Sequence, residues 1–468
     1  MTKPGADKRV LAHVVSWQPA KAGRMDLHTP VSVIGPDEKL AQKLVEALVA
    51  EGVDARACAK AGERVGSVIL LGPETGEPAE AAWSAIQALR AARADSVGQA
   101  ILLDVLSKPK PGRTKLSIGL SGLAKTAARE WPDMTLASLT MQAGGAKAMA
   151  RAILSLDMGQ GAEFAWDGKR LVRPVLGDLD SAGRVGSVSP KTWLVTGGAR
   201  GVTADCVVEL ARRTGGHFVL LGRTQPVDWP EGIERTRNVL DLRRSLVDAH
   251  RERGHAVTPK AISKQANHLL ASDEIARTLS SLKQAGGSGD YVVCDVSDRQ
   301  SVDELMRWID RQDLKIGGLV HGAGVVSDRR LDQKTRRDVE VVFTPKLTGL
   351  QTLLDVLDPA QLSHVGLFSS AAARFGNVGQ ADYAMANTAL NNWARQLKAG
   401  QPSTRVCAFN WGPWEGGMVD EALARQFKAR GIQLIGRQAG AKLFADIMLG
   451  GGDTPVEILV GDPWEAGQ

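Results

Sequence analysis

The segment Thr192-Trp193-Leu194-Val195-Thr196 passes directly into Gly197-Gly198-Ala199-Arg200-Gly201, and then into a helical pattern with Val207, Leu210 and Ala211 on one face. A strand, a tight glycine turn and a helix in that order let the backbone approach a pyrophosphate, whose charge is stabilised at the helix N-terminus. The same letters also make plain turns, so the context carries the argument. The strand His217-Phe218-Val219-Leu220-Leu221 follows, closing a βαβ unit of about 30 residues, the size of a nucleotide-binding half. Thr196, Gly197, Gly198, Arg200, Gly201 and Val202 are therefore candidate cofactor contacts. The second strand ends in Gly222-Arg223-Thr224, where an acidic residue would hold ribose hydroxyls. A guanidinium there suits a 2′-phosphate and favours NADPH over NADH; a solvated Arg at a strand end is the plainer reading.

The same alternation recurs on both sides. Upstream, Val31–Gly35, Ser67–Gly72 and Ala100–Val105 read as buried strands, with helical patterns at 40–48 and 79–94. Downstream come strands at 317–322, 364–370 and 405–410, with helices over 339–357 and 381–397. This rhythm predicts an α/β fold with parallel sheets covered by helices. Residues 177–189 are rich in Gly and Ser, which places a boundary there: one domain over 1–180, a linker over 181–189 and a second domain over 190–468. After Arg223 about 65 residues pass before the next strand, Tyr291–Asp295. Val239, Leu242 and Leu246 at helical spacing mark this stretch, 225–288, as a helical insertion. Between Arg235 and Lys264 it holds eight Lys/Arg against three Asp/Glu.

The chain has only two tyrosines, Tyr291 and Tyr383. Tyr383 follows the strand-end pair Ser369-Ser370 and opens a helix, and Asn387 lies four residues on, sharing its face. Carbonyl reduction requires a group to hold the carbonyl oxygen, an acid to protonate it, and a cation to lower that acid's pKa. A phenol titrating at about 10 needs such a cation near neutrality. Lys346, in Phe343-Thr344-Pro345-Lys346, is a candidate for it. Singly, each residue reads as a core Tyr, a surface Lys or a capping Ser; only their joint spacing makes the case.

The motifs TGGARG (196–201), LGR (221–223), CDVSD (294–298), HGAGV (321–325), VVFTPKLTG (341–349), FSSAAARFGNVGQADYAMAN (368–387) and NWGPWEGGM (410–418) resemble, in order and spacing, a ketoreductase of the polyketide and polyunsaturated fatty acid synthase type. That family lies within the short-chain dehydrogenase/reductase superfamily, where a lysine usually follows the tyrosine in YxxxK. Here Asn387 takes that place and Lys346 supplies the cation, the arrangement typical of ketoreductase domains. The resemblance implies Tyr383 as proton donor, Ser370 as carbonyl holder, Lys346 as ribose-contacting cation and Asn387 as relay. It implies an adenine contact at Asp295 and Val296, a nicotinamide-ribose loop at Gly322-Ala323-Gly324, and a segment entering the substrate lid from Pro413 through Trp414 to Met418. Asp328, with Phe375 where some relatives carry a tryptophan, implies a D-hydroxy product. Thr203 departs from the pattern, since many relatives have the last glycine of the turn there.

The resemblance also extends over residues 10–175, implying two tandem Rossmann-like doubly wound parallel sheets. The N-terminal one is expected to be degenerate and structural, without a cofactor site, since Gly35-Pro36-Asp37 replaces the glycine fingerprint. The expected reaction is NADPH-dependent reduction of a β-ketoacyl thioester on an acyl carrier protein, an acidic partner that the basic stretch at 235–264 suits. A free-standing reductase of coenzyme A thioesters or small ketones, and a non-catalytic cofactor-binding scaffold, are the competing readings. The chain reads either as an excised domain or as a free-standing enzyme.

Composition excludes other classes. The 468 residues, 43% hydrophobic and 24% charged, are globular in type and long enough for two to four cores. No apolar run reaches the roughly 18–20 residues of a membrane span, and no signal-peptide stretch follows the basic N-terminus. The four cysteines lie far apart without zinc-ligand spacing, so a cytoplasmic protein with no metal is expected. A net charge of +6 is too small an excess to indicate nucleic acid.

Overall fold

Short runs of Val, Ile and Leu without charge form buried parallel strands when helices cover both faces. The computed structural model describes residues 10–464 apart from 60–65, 74–75, 107–115, 143, 180–188, 254, 417–420, 430 and 452, so the linker expected at 181–189 falls almost wholly outside the described residues. In the first half the strands are β1 (Ala12–Pro19), β2 (Val31–Ile34), β3 (Ala55–Ala57), β4 (Ser67–Leu71), β5 (Gln99–Leu106), β6 (Thr135–Gln142), β7 (Glu163–Trp166) and β8 (Leu171–Asp178). The second half has β9 (Thr192–Thr196), β10 (His217–Gly222), β11 (Ser288–Val293), β12 (Gly318–His321), β13 (His364–Ser370), β14 (Arg405–Trp411) and β15 (Glu457–Val460).

The second half orders its strands β11-β10-β9-β12-β13-β14-β15, all parallel, the doubly wound arrangement in which β9 and β12 flank the switch point. The first half runs β8-β7-β6-β5-β4-β2-β3. The two are not separate sheets. β1 pairs antiparallel with β15 on one side and β8 on the other, joining both halves into one 15-stranded sheet among the described residues.

Helices lock the halves together as well. The helix Leu120–Glu130 of the first half lies on the helix Ala381–Gly400, which carries Tyr383. Gly119, at φ +68°, and Gly122 touch the backbone of Met385 and Ala384 so closely that a Cβ at either would overlap it. Buried charge reinforces this contact. Lys125 and Arg374 both bond Glu163, while Arg374 and Arg395 bond Glu457 at 3.0 and 2.8 Å.

Between β10 and β11 stand the helices Val239–Glu252 and Pro259–Gln284, which share a small core of Leu242, Leu246, Ile262, Ala266 and Leu269. The stretch read as one helix over 339–357 is broken instead. Helices at Arg336–Phe343 and Gly349–Leu354 flank a π-helical turn, Thr344–Thr348, which contains Pro345 and Lys346. Proline lacks the N–H that the regular ladder needs, and wide turns of this kind recur at functional sites.

Candidate active site

Thr196, Gly222, His321, Ser370 and Trp411 all lie at carboxyl ends of parallel strands, along the edge where doubly wound sheets bind ligands. Gly197 and Gly201 adopt left-handed φ of +66° and +64°. A Cβ at Gly197 would press on the Gly322-Ala323 backbone at 3.1 Å, whereas at Gly201 it would meet nothing within 4 Å. The turn is therefore closed behind and open in front. Thr203 fills the space of the missing glycine by packing on Gly322, where a Cβ would lie 2.5 Å from its Oγ1. Arg200 is exposed, and Arg223 is 68% exposed with its guanidinium 4.0 Å from Asp295. An open turn at a helix N-terminus with two solvent-facing guanidinia fits a dinucleotide with an extra phosphate.

His321 ties this turn to Lys346. Its Nε2 donates to the Lys346 carbonyl at 2.8 Å, so Nδ1 accepts from Thr196 Oγ1 at 2.9 Å. Thr196 Oγ1 in turn accepts from the Ala323 N–H at 3.1 Å. Burial, with the Lys346 charge beside it, holds the imidazole at about 3, so it stays neutral. Sequence reading assigned His321 no role. Its partners are distant in sequence, and only the motif HGAGV marked the position.

Lys346 is buried, and its Nζ donates to the Phe368 carbonyl at 2.9 Å and stands 5.6 Å from the centroid of the Tyr383 ring. Gly324 makes room for it, since a Cβ there would lie 2.9 Å from Lys346 Cε. Burial lowers this lysine to about 7. Burial also raises the Tyr383 phenol above its ordinary value, with Ser370 and Asn387 pulling it back and the Asp328 carboxylate pushing it up. The phenol thus stays protonated near neutrality. Asn387 donates to the Tyr383 carbonyl at 2.8 Å, and its buried Oδ1 has no hydrogen-bond partner among the described residues. Ser370 Oγ accepts from the Ala372 N–H at 3.2 Å.

Asp328 is gripped by Gln380 Nε2 at 3.0 and 3.1 Å, three residues before Tyr383. A fully buried pair that the sequence did not reveal, Lys334 and Asp382 at 2.7 Å, joins the Asp328 loop to the same helix. The Asp295 carboxylate accepts from Ser297 N and Oγ at 3.1 and 2.6 Å, and Val296 packs on Gly349.

Two residues expected as substrate contacts pack against other aromatics. Phe375 stacks on Trp464 at 5.9 Å and lines a cleft with Lys125, Glu163 and Arg374 that none of the four catalytic candidates borders. Trp414 is buried, edge-on to Trp411 at 4.8 Å and against Gly440, so it anchors its segment in the core. Pro413 accepts from the Ile435 N–H at 2.8 Å, and Met418 lies outside the described residues.

The doubly wound sheet, with Lys346, Ser370, Tyr383 and Asn387 along its carboxyl edge, resembles the reductases of the short-chain dehydrogenase/reductase superfamily, the class for which NADPH is the implied cofactor. Residues 191–416 match the family model of the KR domain. The chain is 38% identical over 280 residues to a polyunsaturated fatty acid synthase protein of Thraustochytrium sp., covering 58% of this chain and 10% of that protein. It is 27% identical over 333 residues to polyketide synthase PksL of Bacillus subtilis, covering 68% of this chain and 6% of that one. The chain thus spans a tenth or less of these relatives' length. In fold it is similar to an A1-type ketoreductase (TM-score 0.72, 20% identity, 96% and 92% of the two chains). It is likewise similar to a ketoreductase domain from the bacillaene assembly line (TM-score 0.67, 23% identity, 97% of each).

Proposed function

We propose that this chain reduces a β-ketoacyl thioester, carried on the phosphopantetheine arm of an acyl carrier protein, to the D-β-hydroxyacyl thioester. The observation that carries this reading is the meeting of Lys346, Tyr383 and Ser370, from three separate elements, beside a turn that fits a dinucleotide. NADPH, when bound, supplies the hydride to the carbonyl carbon. Ser370 Oγ and the Tyr383 hydroxyl hold the carbonyl oxygen, and Tyr383 gives its proton to that oxygen as negative charge develops. The phenolate left behind is stabilised by the Lys346 ammonium. A proton returns past Asn387, whose free Oδ1 offers a buried acceptor for a relay. Asp328, held beside the tyrosine helix by Gln380, supports the D-hydroxy outcome.

The basic helices between β10 and β11 suit the acidic carrier, and relatives whose names describe polyketide and polyunsaturated fatty acid synthases support a carrier-bound substrate. Tyr383→Phe tests the mechanism. NADPH oxidation on an acetoacetyl thioester should fall by about 10²–10⁴-fold while NADPH still binds. Turnover at the wild-type rate overturns the assignment.

A further inference from the structure

The helix Gly201–Thr214 opens with Arg200 at its N-cap, in extended backbone, and no side chain of its own turn caps it. An arginine has no acceptor to offer, so the first N–H groups would lack partners. Gly201 N–H nevertheless has one: Glu274 Oε1 accepts it at 2.9 Å, 73 residues away along the chain. One turn further along the insertion helix Pro259–Gln284, Thr278 Oγ1 donates to the Ala199 carbonyl at 2.8 Å. The same helix holds the strand end that carries Arg223. Its Ser272 Oγ accepts from the Val227 N–H at 3.1 Å, and its His268 Nε2 bonds the Gln225 carbonyl at 2.6 Å. Ile275 and Leu282 fix it in the core shared with Val207, Leu210 and Phe218.

We propose that the insertion is a clamp on the dinucleotide site, and that Glu274 is a cofactor-positioning residue with two opposed effects. Its hydrogen bond holds the glycine turn in its left-handed geometry. Its charge occupies the positive end of the helix and opposes the phosphates that bind there. The affinity for the dinucleotide is therefore set by the insertion rather than by the turn alone. Glu274 also faces Arg437, which is paired with Asp205 at 2.6 Å, so the carboxylate is only partly offset. This inference rests on the reading of the turn as the NADPH site.

Equilibrium titration of the full chain with NADPH, at low salt and without substrate, separates the two effects. Glu274→Gln keeps an acceptor for Gly201 N–H and removes the charge; its Kd should fall about three- to tenfold, and the gap should narrow as salt rises. Glu274→Ala removes both, so its Kd should lie at least about twofold above that of the Gln variant. An unchanged or higher Kd for Glu274→Gln overturns the electrostatic half of the clamp. Equal affinities for the Gln and Ala variants overturn the positioning half. Failure of the wild-type chain to bind NADPH would instead strike the reading of the turn itself.

Discussion

The Lys346 ammonium sits 5.6 Å from the centre of the Tyr383 ring, and its only hydrogen bond to a described residue is to the Phe368 carbonyl. The two residues come from a π-helical turn and from the start of a helix, so neither segment alone carries the pair.

This pair has a pH signature. Burial lowers Lys346 to about 7 and raises the phenol, and reduction uses the acid form of both. As pH rises through about 7 the ammonium is lost first, so kcat/KM for ketone reduction should fall on that limb. Lys346→Arg, which keeps its charge, should move the limb upward by more than about one pH unit. A pH–rate profile of the two forms checks this; coincident profiles would remove Lys346 from the acid chemistry.

Arg223 is 68% exposed and its one ion pair among the described residues is a 4.0 Å contact with Asp295, so its removal should leave the fold intact. Arg223→Ala should raise the Kd for NADPH about tenfold and leave NADH nearly unaffected, the difference being one charge-assisted contact to the 2′-phosphate. Titration with both dinucleotides reads the ratio, and equal losses would place the 2′-phosphate elsewhere.

Glu163 holds the two halves through Lys125 and Arg374. Burial pushes its carboxyl up, but Arg374 and Lys125 outweigh burial and bring it to about 2. A depressed carboxyl stabilises the fold above its unfolded value and loses that contribution as pH falls through the folded one, here from 4.5 towards about 2. Glu163→Gln should cost about 3–5 kcal/mol, because buried Lys125 loses its carboxylate partner and buried Arg374 keeps only Glu457. Urea denaturation at neutral pH measures it; a change within about 0.5 kcal/mol would show the network to be dispensable.

Arg244 and Arg251 lie two turns apart on the helix Val239–Glu252, each 78% exposed, with only loose partners Asp241 and Asp248 at 3.5 and 3.6 Å. Reversing both to Glu should raise KM for a carrier-bound substrate several-fold, most at low salt, and leave KM for a small thioester mimic unchanged. Identical behaviour on both substrates would leave this helix a scaffold.

Much of the fold was legible because buried parallel strands announce themselves: Val31–Ile34, Ser67–Leu71 and Thr192–Thr196 stand where the apolar runs lie. β1, with its mixed AHVVSWQP, and the short β7 and β15 were not legible. Their identity depends on pairing partners far away in sequence, and β1 joins what otherwise reads as two sheets. The four catalytic candidates, Lys346, Ser370, Tyr383 and Asn387, were picked out by motif spacing. The cap from Glu274, the His321 tautomer and the buried Lys334–Asp382 pair were not, because each is a contact across tens of residues or more between side chains that are unremarkable alone. The aromatic neighbours of Phe375 and Trp414, Trp464 and Trp411, were not legible either, since ring packing leaves no motif.

The close seat of Gly119 and Gly122 on the tyrosine helix has a practical corollary for anyone wishing to shorten the enzyme. A chain begun at Pro190 would leave β15 as a bare sheet margin and strip the cover from the apolar flank around Met385 and Ala389. Unpaired margins and uncovered flanks seek other copies of themselves, so the trimmed protein should precipitate. On this reading the first half acts as a shield, occupying the surfaces through which copies of the second half would otherwise associate.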